Sequence, residues 1–290
     1  MNRYITCTNE ENISVKFGST FSPFLLTAVD GVYKVESSIS STDSNLIDGV
    51  IYQGSKIASR NIVLTLRDKT NHKDNRELLY RLFRPKSKGT LRYFENDDVK
   101  KIEYYVESIE ISGSENSRTA TVSLICTDPF FYDNEETVMY MAEWNGSFEF
   151  EHEFTANKEE FGYRSLAKSL YIQNLTPRDD IGLKIEITSI GNAKNIKVAH
   201  VEQKKAISIG TDTKPFNMVA GDVVDITTEK GNKHVSLTRE GVVTEINNYL
   251  SEDSEFIQLN VGDNNIGYDA EEGVSNLSIK ISFTYKYNGV

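Results

Sequence analysis

Residues 60–66 read Arg-Asn-Ile-Val-Leu-Thr-Leu, a strand-like run with apolar side chains on both faces, which is typical of a buried strand. A glycine-containing segment, Gly49-Val50-Ile51-Tyr52-Gln53-Gly54, precedes it. Downstream come a short charged helix pattern and two more strand-like runs, and the region closes on residues 126–132, Cys-Thr-Asp-Pro-Phe-Phe-Tyr. This order predicts a β domain with one helix on its flank.

The helix pattern runs from about Asn71 to Arg84. Its apolar residues form one narrow stripe, Leu78, Leu79, Leu82 and Phe83, and Glu77 with Arg81 makes an i,i+4 pair in the favoured order. Pro85 and the flexible residues 86–89 end it. A helix of about three turns with one apolar face should pack against a sheet. A weaker helical or irregular stretch spans 159–170.

Alternation with a period of two recurs at 119–126, at 183–188 and, most clearly, at 277–287, where a single long strand with one buried and one wet face is expected. Turn residues separate such runs at 112–114, 191–192, 230–232 and 262–265. Many short strands with Gly/Asn turns predict antiparallel sandwiches, so the fold class is mainly β with two β-sandwich domains. The acidic segment at 133–136, after the strand-breaking Asp128-Pro129, places the boundary between domains 1–138 and 139–290.

Composition narrows the functional classes. The chain has 290 residues, 32 Lys+Arg and 43 Asp+Glu, a net charge of −11, which disfavours nucleic-acid binding. A negative charge would suit the wall of a channel through which DNA passes without binding. Net charge, however, is an argument about solubility and nonspecific binding, not about the fold. Two cysteines, Cys7 and Cys126, are too few for a disulfide scaffold and are expected to be buried thiols. We expect no signal peptide at Met1–Ile5 and no membrane-spanning run.

Two motifs that could carry chemistry are better explained structurally. Residues 49–56 end in Gly-Ser-Lys where a phosphate loop needs Gly-Lys-Ser/Thr followed by a helix, so a loop before a strand is expected. Residues 263–272 are as rich in side-chain oxygens as a calcium-binding loop. An EF-hand loop needs glycine at position 6 and glutamate at position 12, whereas here, counting from Asp263, the glycine is at position 5 and Val274 is at position 12. We therefore interpret 263–272 as a solvated loop between strands.

No residues are assigned to catalysis, a metal or a cofactor. Glu149, Glu151 and Glu153 alternate with apolar residues, as on a wet sheet face, although paired carboxylates could in principle act as a glycosidase pair. The four histidines, His72, His152, His200 and His234, are scattered, and no nucleophile motif is present. The sequence therefore predicts a protein that is not an enzyme.

Taken together, the order from residue 49 through the 60–66 strand, the Arg-x-x-Leu helix and proline to Asp-Pro-Phe-x-Tyr resembles the distal tail (Dit) family of long-tailed bacteriophages. Residues 17–26 and the ending at 281–290 fit the same resemblance. It implies a tail-tube-like first domain with a flanking helix and an outward-facing, galectin-like or carbohydrate-module-like second domain that acts as a docking platform. It also implies a structural virion protein at the tail tip, assembled in the cytoplasm of the bacterial host and without a cofactor.

The same resemblance implies a hexameric ring of this chain around the DNA channel. Its implied partners are the tail tube protein, the tail-tip hub protein, the tape-measure protein and receptor-binding proteins, with DNA only passing through the lumen. From the tube-like fold we expect strands 60–67 and 102–111 at the inner wall and neighbour contacts, with helix 75–83 outside. The alternative is a carbohydrate-binding module for host cell-wall glycans, with Trp144, Tyr163 and Tyr171 as its candidate aromatic platform.

Overall fold

The chain is described by a computed structural model that covers residues 3–18, 20, 23–43, 48–68, 72–114, 117–141, 144–146, 162–164, 168–176 and 180–290. It divides into two compact units. Unit 1 comprises Met1–Asn134 and Lys286–Val290, and unit 2 comprises Glu135–Tyr285. The division by sequence at 138/139 assigned 286–290 to the second domain, whereas here they lie in unit 1.

The described residues of unit 1 form one large sheet, one hairpin and one helix, α1 (His72–Leu82). Its strands, numbered in chain order, are β1 (Arg3–Asn9), β2 (Ser14–Gly18), β3 (Phe24–Asp30), β4 (Ser37–Asp43), β5 (Val50–Ile57), β6 (Arg60–Asp68), β7 (Lys88–Glu95), β8 (Asp98–Ser114), β9 (Ser117–Cys126), β10 (Phe131–Asp133) and β24 (Lys286–Tyr287). The helix predicted over 71–84 is confirmed, with ends that differ by one or two residues.

The large sheet closes on itself because β8 is long enough to pair with both β7 and β9, in addition to the short strand β10. Residues 98–105 of β8 pair with β7, and residues 105–114 pair with β9. Between those partners the order β7-β1-β2-β3-β6-β9 completes a ring of seven strands, in which β2 and β3 meet in parallel at Gly18 and Leu25. Closure removes the open edges that an isolated sheet would expose.

The interior of this closed sheet holds the core of unit 1, which includes Phe17, Phe24, Leu64, Leu91 and Val122. Helix α1 packs on it through Leu79 and Leu82, and Phe83 follows directly after the helix. The Phe83 ring lies 5.9 Å from that of Phe17 and 6.4 Å from that of Tyr104. The apolar stripe predicted from the sequence is therefore the face that the helix buries.

The strand expected over 277–287 is in fact two strands in different units, which corrects that interpretation. β23 (Leu277–Phe283) belongs to unit 2, whereas β24 pairs with β10 in unit 1, Phe131 opposite Tyr287 and Tyr132 opposite Lys286. The alternation continues across the break because both segments have a buried and a wet face. Period alone cannot show that the chain changes partners.

Unit 2 is a two-layer sandwich whose sheets bury a shared core that includes Ile185, Ile196, Val198, Ile266 and Ile279. One sheet has the order β11-β23-β15-β19-β20-β21, and the other has β14-β22-β16-β17 with β18 beside β16. The bounds are β11 (Thr137–Met141), β14 (Ser169–Asn174), β15 (Lys184–Ser189), β16 (Ala193–His200), β17 (Lys205–Ile209), β18 (Asn217–Met218), β19 (Val223–Glu229), β20 (Asn232–Arg239), β21 (Val242–Glu245) and β22 (Gly262–Glu272).

Four smaller elements are described in unit 2. Two short strands, β12 (Trp144–Gly146) and β13 (Gly162–Arg164), pair with each other. Two 3₁₀ turns lie at Asn247–Tyr249 and Val274–Asn276. Where residues 159–170 are described, they are extended at β13 and at the start of β14, so the helical interpretation of that stretch is wrong there.

Candidate functional site

In the ranges that the structure covers, no three His, Cys, Asp or Glu side chains come together as a metal site. His200 is buried, and its Nε2 lies 2.8 Å from Oδ1 of Asn264. Asn264 donates from Nδ2 to three backbone carbonyl oxygens, so its Oδ1 must accept the hydrogen bond from the histidine. This histidine is a structural residue.

The segment compared with a phosphate loop, 49–56, lies largely in β5 instead of in a loop, which corrects the expectation. It forms an exposed hairpin with β4, and the next element is another strand, β6, not a helix. The amide cradle that binds phosphate needs a helix N-terminus after the loop. Nucleotide binding at this segment therefore has no structural basis.

The segment compared with a calcium loop, 263–272, is also a strand, β22, in the middle of its sheet, so the solvated-loop interpretation is wrong. Asp263 accepts hydrogen bonds from Tyr171 and Gln173, and Glu271 accepts from Lys194 and Asn195. These carboxylates face outward while Asn264, Ile266 and Tyr268 face the core. The acidic residues therefore form a wet sheet face and not a cation cage.

Both cysteines are free and buried, as predicted. Burial raises the pKa of the Cys7 thiol well above its usual range and that of Cys126 to about 12. A thiol acts as a nucleophile only as the thiolate, so neither cysteine is suited to chemistry near neutral pH. Their role is to fill the closed sheet of unit 1.

The glycan alternative requires an aromatic platform, and of its three candidates the structure describes the side chain of Tyr171. Tyr171 is exposed and donates its hydroxyl to Asp263. The backbones of Trp144 and Tyr163 lie in β12 and β13, and their side chains fall outside the described part of the chain. The glutamates 149, 151 and 153 and His152 fall outside it as well.

The most distinctive surface of unit 1 is the β4–β5 hairpin, which lies outside the closed sheet. Directly opposed residues of an antiparallel pair share a face, and a register shift at Ser40/Ser41 aligns the apolar residues of both strands. One face carries Ile39, Val50, Tyr52 and Ile57, whereas the other carries only Ile51 among small and polar residues. Ile39 is 64% exposed and Tyr52 is 63% exposed. We call this surface the hairpin face.

The hairpin face has the properties of a contact surface because such clusters are uncommon on the surface of a protein that works alone. Tyr52 donates its hydroxyl to the Ser55 hydroxyl at 2.8 Å, which fixes the ring on that face. Before β4, the hydroxyl of Tyr33 lies 2.7 Å from that of Tyr93 in β7. Sequence reasoning missed this surface because exposed apolar residues on a two-stranded arm do not follow a core-forming period.

Charge is divided unequally between the units. Unit 1 has 18 Lys+Arg and 18 Asp+Glu, whereas unit 2 has 14 and 25. The whole net charge of −11 therefore belongs to unit 2. The overall acidity of the chain is no argument for a DNA-lining role of the first domain.

Comparison with protein families matches both units. The phage tail protein RIFT-related domain matches residues 15–126, and the C-terminal domain of siphovirus-type tail components matches residues 178–287. The chain belongs to the siphovirus distal tail (Dit) family. This distal tail protein is a structural component of the virion tail. No curated protein sequence matches it significantly.

Solved structures share the fold of this distal tail protein at low sequence identity. The crystal structure of the Dit protein of phage SPP1, described as a paradigm of the hub adsorption apparatus in phages that infect Gram-positive hosts, matches with a TM-score of 0.68 and 13% identity, covering 97% of this chain and 98% of that one. Chains of the activated phage p2 baseplate with Ca and with Sr match with TM-scores of 0.53 and 0.52 at 11% and 12% identity, with all of both chains covered. Together with the two family matches, this shared fold favours the tail-component interpretation over the glycan-binding alternative.

Proposed function

We propose that this distal tail protein forms a homo-hexameric ring at the distal end of the tail, which joins the tail tube to the tip around the DNA channel. The observation that carries the proposal is the hairpin face, which presents Ile39, Val50 and Tyr52 to solvent outside a closed core. In a cyclic ring each subunit uses two different surfaces, one on each neighbour. An apolar arm that reaches onto the next subunit fits that requirement.

The outward surfaces of β6 and β8 are the proposed inner wall, as the tube-like fold led us to expect. On that side Glu107 of β8 accepts hydrogen bonds from the Asn61 amide at 3.2 Å and from the Ser123 hydroxyl at 2.7 Å. Since unit 1 has equal numbers of acidic and basic residues, we expect a wall that holds DNA only weakly. α1 is proposed to lie on the outside of the ring.

The proposed partners are the tail tube protein on one side and the tail-tip hub protein on the other, with the tape-measure and receptor-binding proteins as further contacts. Unit 2 is proposed as the outward-facing docking domain. The protein is proposed to have no enzymatic activity and to assemble in the host cytoplasm. Among its described residues no helix is long and apolar enough to cross a membrane.

Light scattering coupled to size-exclusion chromatography, backed by negative-stain images, tests the ring. We expect a particle of six times 32.8 kDa with a central hole. Ile39→Asp should dissociate it because the charge would be buried in the contact, whereas Ser40→Asp, on the opposite face of the hairpin, should leave it intact. Equal behaviour of the two variants would exclude the hairpin face as the contact. A wild-type protein that stays monomeric when mixed with its tail tube would refute the ring itself.

A further inference from the structure

The six-stranded sheet of unit 2 ends in a strand with an open edge. Within the described ranges, β21 has β20 on one side and no strand on the other. The Ile246 amide donates to the Val235 carbonyl oxygen at 2.9 Å, so the alternating backbone turns residues 242, 244 and 246 toward β20. The backbone N–H and C=O groups of Val243 and Glu245 therefore point away from the sheet. Such groups are a template for another extended chain.

A groove lies beside this edge and can accept side chains. Its volume is about 570 Å³, and its walls include Phe216, Leu237, Val242, Thr244 and Tyr249. The side chains of residues 242, 244 and 246 are on the groove side of the hairpin, where alternate side chains of an added strand would also fall. Apolar side chains at every second position of that strand would meet Phe216, Leu237 and Tyr249, while Asn217, Arg239 and Glu240 form the polar part of the lining.

The groove wall is held rigidly by an ion pair. Arg239 donates to the buried carboxylate of Asp222 through Nε at 2.9 Å and Nη2 at 2.6 Å, and Nη2 also reaches the Asn217 carbonyl oxygen at 3.0 Å. These bonds tie β20 to the start of β19 and to β18. A wall that is fixed before binding costs less entropy to order when a partner arrives.

The charges around the edge select the partner. Val242 and Val243, each 65% exposed, lie between Glu240 and Glu245, in a unit with 14 basic and 25 acidic residues. Lys or Arg at the ends of a partner strand would therefore meet carboxylates at this edge. A second copy of unit 2 would instead bring a further net charge of −11 to it, which disfavours self-association.

We propose that the edge of β21 binds an extended segment of a partner polypeptide by strand addition. The segment has apolar side chains at alternate positions, directed into the groove, and Lys or Arg at both ends, opposite Glu240 and Glu245. This assigns a surface and a partner chemistry to the docking role proposed for unit 2, and it rests on that role. Ring formation by unit 1 is measured separately, so the two proposals can fail independently.

The test uses two synthetic fluorescent peptides with blocked ends, Lys-Val-Thr-Val-Thr-Lys and its acidic analogue Glu-Val-Thr-Val-Thr-Glu. Binding to the full chain is followed by fluorescence anisotropy up to about 1 mM peptide. The basic peptide should bind at least about fivefold more tightly than the acidic one, given two opposite-charge cross-strand pairs. It should also slow amide hydrogen exchange at Val243 and Glu245. The absence of binding by the basic peptide, or equal binding of the two, overturns the proposal.

Two variants separate edge pairing from nonspecific attraction. Val243→Pro removes an outward N–H at a position where an edge strand tolerates proline, and it should weaken binding about tenfold or more. Val243→Thr keeps the N–H and the branched shape, and it should bind like the wild type. The double variant Glu240→Lys, Glu245→Lys should prefer the acidic peptide, which decides the question even if the proline variant does not fold.

Unchanged binding by the proline variant, or an unchanged preference in the charge-reversed variant, overturns the proposal. Dimerisation that Val243→Pro abolishes, without any binding of peptide, would assign the edge to a second copy and also overturn it. Light scattering on the same samples reports the ring. A protein that forms rings but does not bind the basic peptide would refute the strand-addition proposal alone.

Discussion

Replacing Arg60 with methionine should destabilise unit 1 more than any other change of a single charged residue in β6. The Arg60 side chain is buried, and its guanidinium donates to the carbonyl oxygens of Pro129 at 2.8 Å, Gly31 at 2.7 Å and Val32 at 3.1 Å, and also to that of Asn288. It thereby joins three separate segments of the chain. Methionine preserves most of the length of the side chain and provides no donor.

The magnitude follows from counting these bonds. Four hydrogen bonds at a net value of about 1 kcal/mol each give about 4 kcal/mol of lost stability. The guanidinium also lies 5.0 Å from the centre of the Phe131 ring, a cation–π contact that adds about 0.5–1 kcal/mol. Burial lowers the pKa of Arg60, which shows that desolvation offsets part of the gain. Lysine should recover about half of the loss, since it keeps the charge but not the planar fork.

Hydrogen exchange read by mass spectrometry across a urea series measures this change, because it reports unit 1 separately from unit 2. Arg60→Met should speed exchange in the peptides that contain residues 28–34, 126–133 and 286–290 together. The control is Arg67→Met, an exposed arginine of the same strand, for which we expect a change within about 0.5 kcal/mol. A loss below about 1 kcal/mol for Arg60→Met would refute the reasoning, because water would then replace the guanidinium at almost no cost.

Three further changes are predicted. Gly89→Ala should cost about 1–3 kcal/mol in urea unfolding, because its Cβ would lie 2.5 Å from the Tyr104 ring; full stability would mean that the ring can move aside. Asn264→Ala should lower the stability of unit 2 by about 2–4 kcal/mol, because it leaves buried hydrogen-bonding partners unpaired. If hydrogen exchange became faster only at residues 260–265, Asn264 would not be needed to hold the sheet together. Hydrogen bonds from Arg239 lower the pKa of Asp222, so its contribution to the stability of unit 2 is full above the ordinary value of 3.8 and is lost as pH falls below it. Asp222→Asn should therefore be less stable at pH 7 and should lose less stability than the wild type as pH falls below 3.8. If the two proteins lose stability equally over that range in urea titrations, the ion pair is not the cause.

The sequence predicted those helices and strands that bury one face and expose the other. α1 was predicted because its apolar residues make a stripe at helical spacing and Pro85 ends the pattern. The strands at 119–126 and 183–188 were predicted because the alternation there is strict. These signals are local, and they arise from burial against a single neighbouring layer.

The misread segments share a different physical cause. In β22 the core-facing position 264 holds an asparagine, so composition suggested a loop even though the outward acids alternate with buried residues. In β5 both faces are exposed, so no core-forming period exists to be read. Of the surfaces used in the proposals, the hairpin face depends on a register shift and the β21 edge on which strand ends a sheet. Neither property is encoded in a local pattern.

The return of 286–290 to unit 1 has a consequence for how the chain is made. Unit 2 is a domain inserted into unit 1, so these residues leave the ribosome only after the 151 residues of Glu135–Tyr285 have been synthesised. The Asn288 carbonyl and the β10–β24 pairing are therefore missing while unit 1 begins to fold during translation. Until that moment Arg60 lacks one acceptor and Phe131 lacks its cross-strand neighbour. Unit 1 thus starts folding first and is completed last, so in a nascent chain truncated within unit 2 the fold of unit 1 should be incomplete.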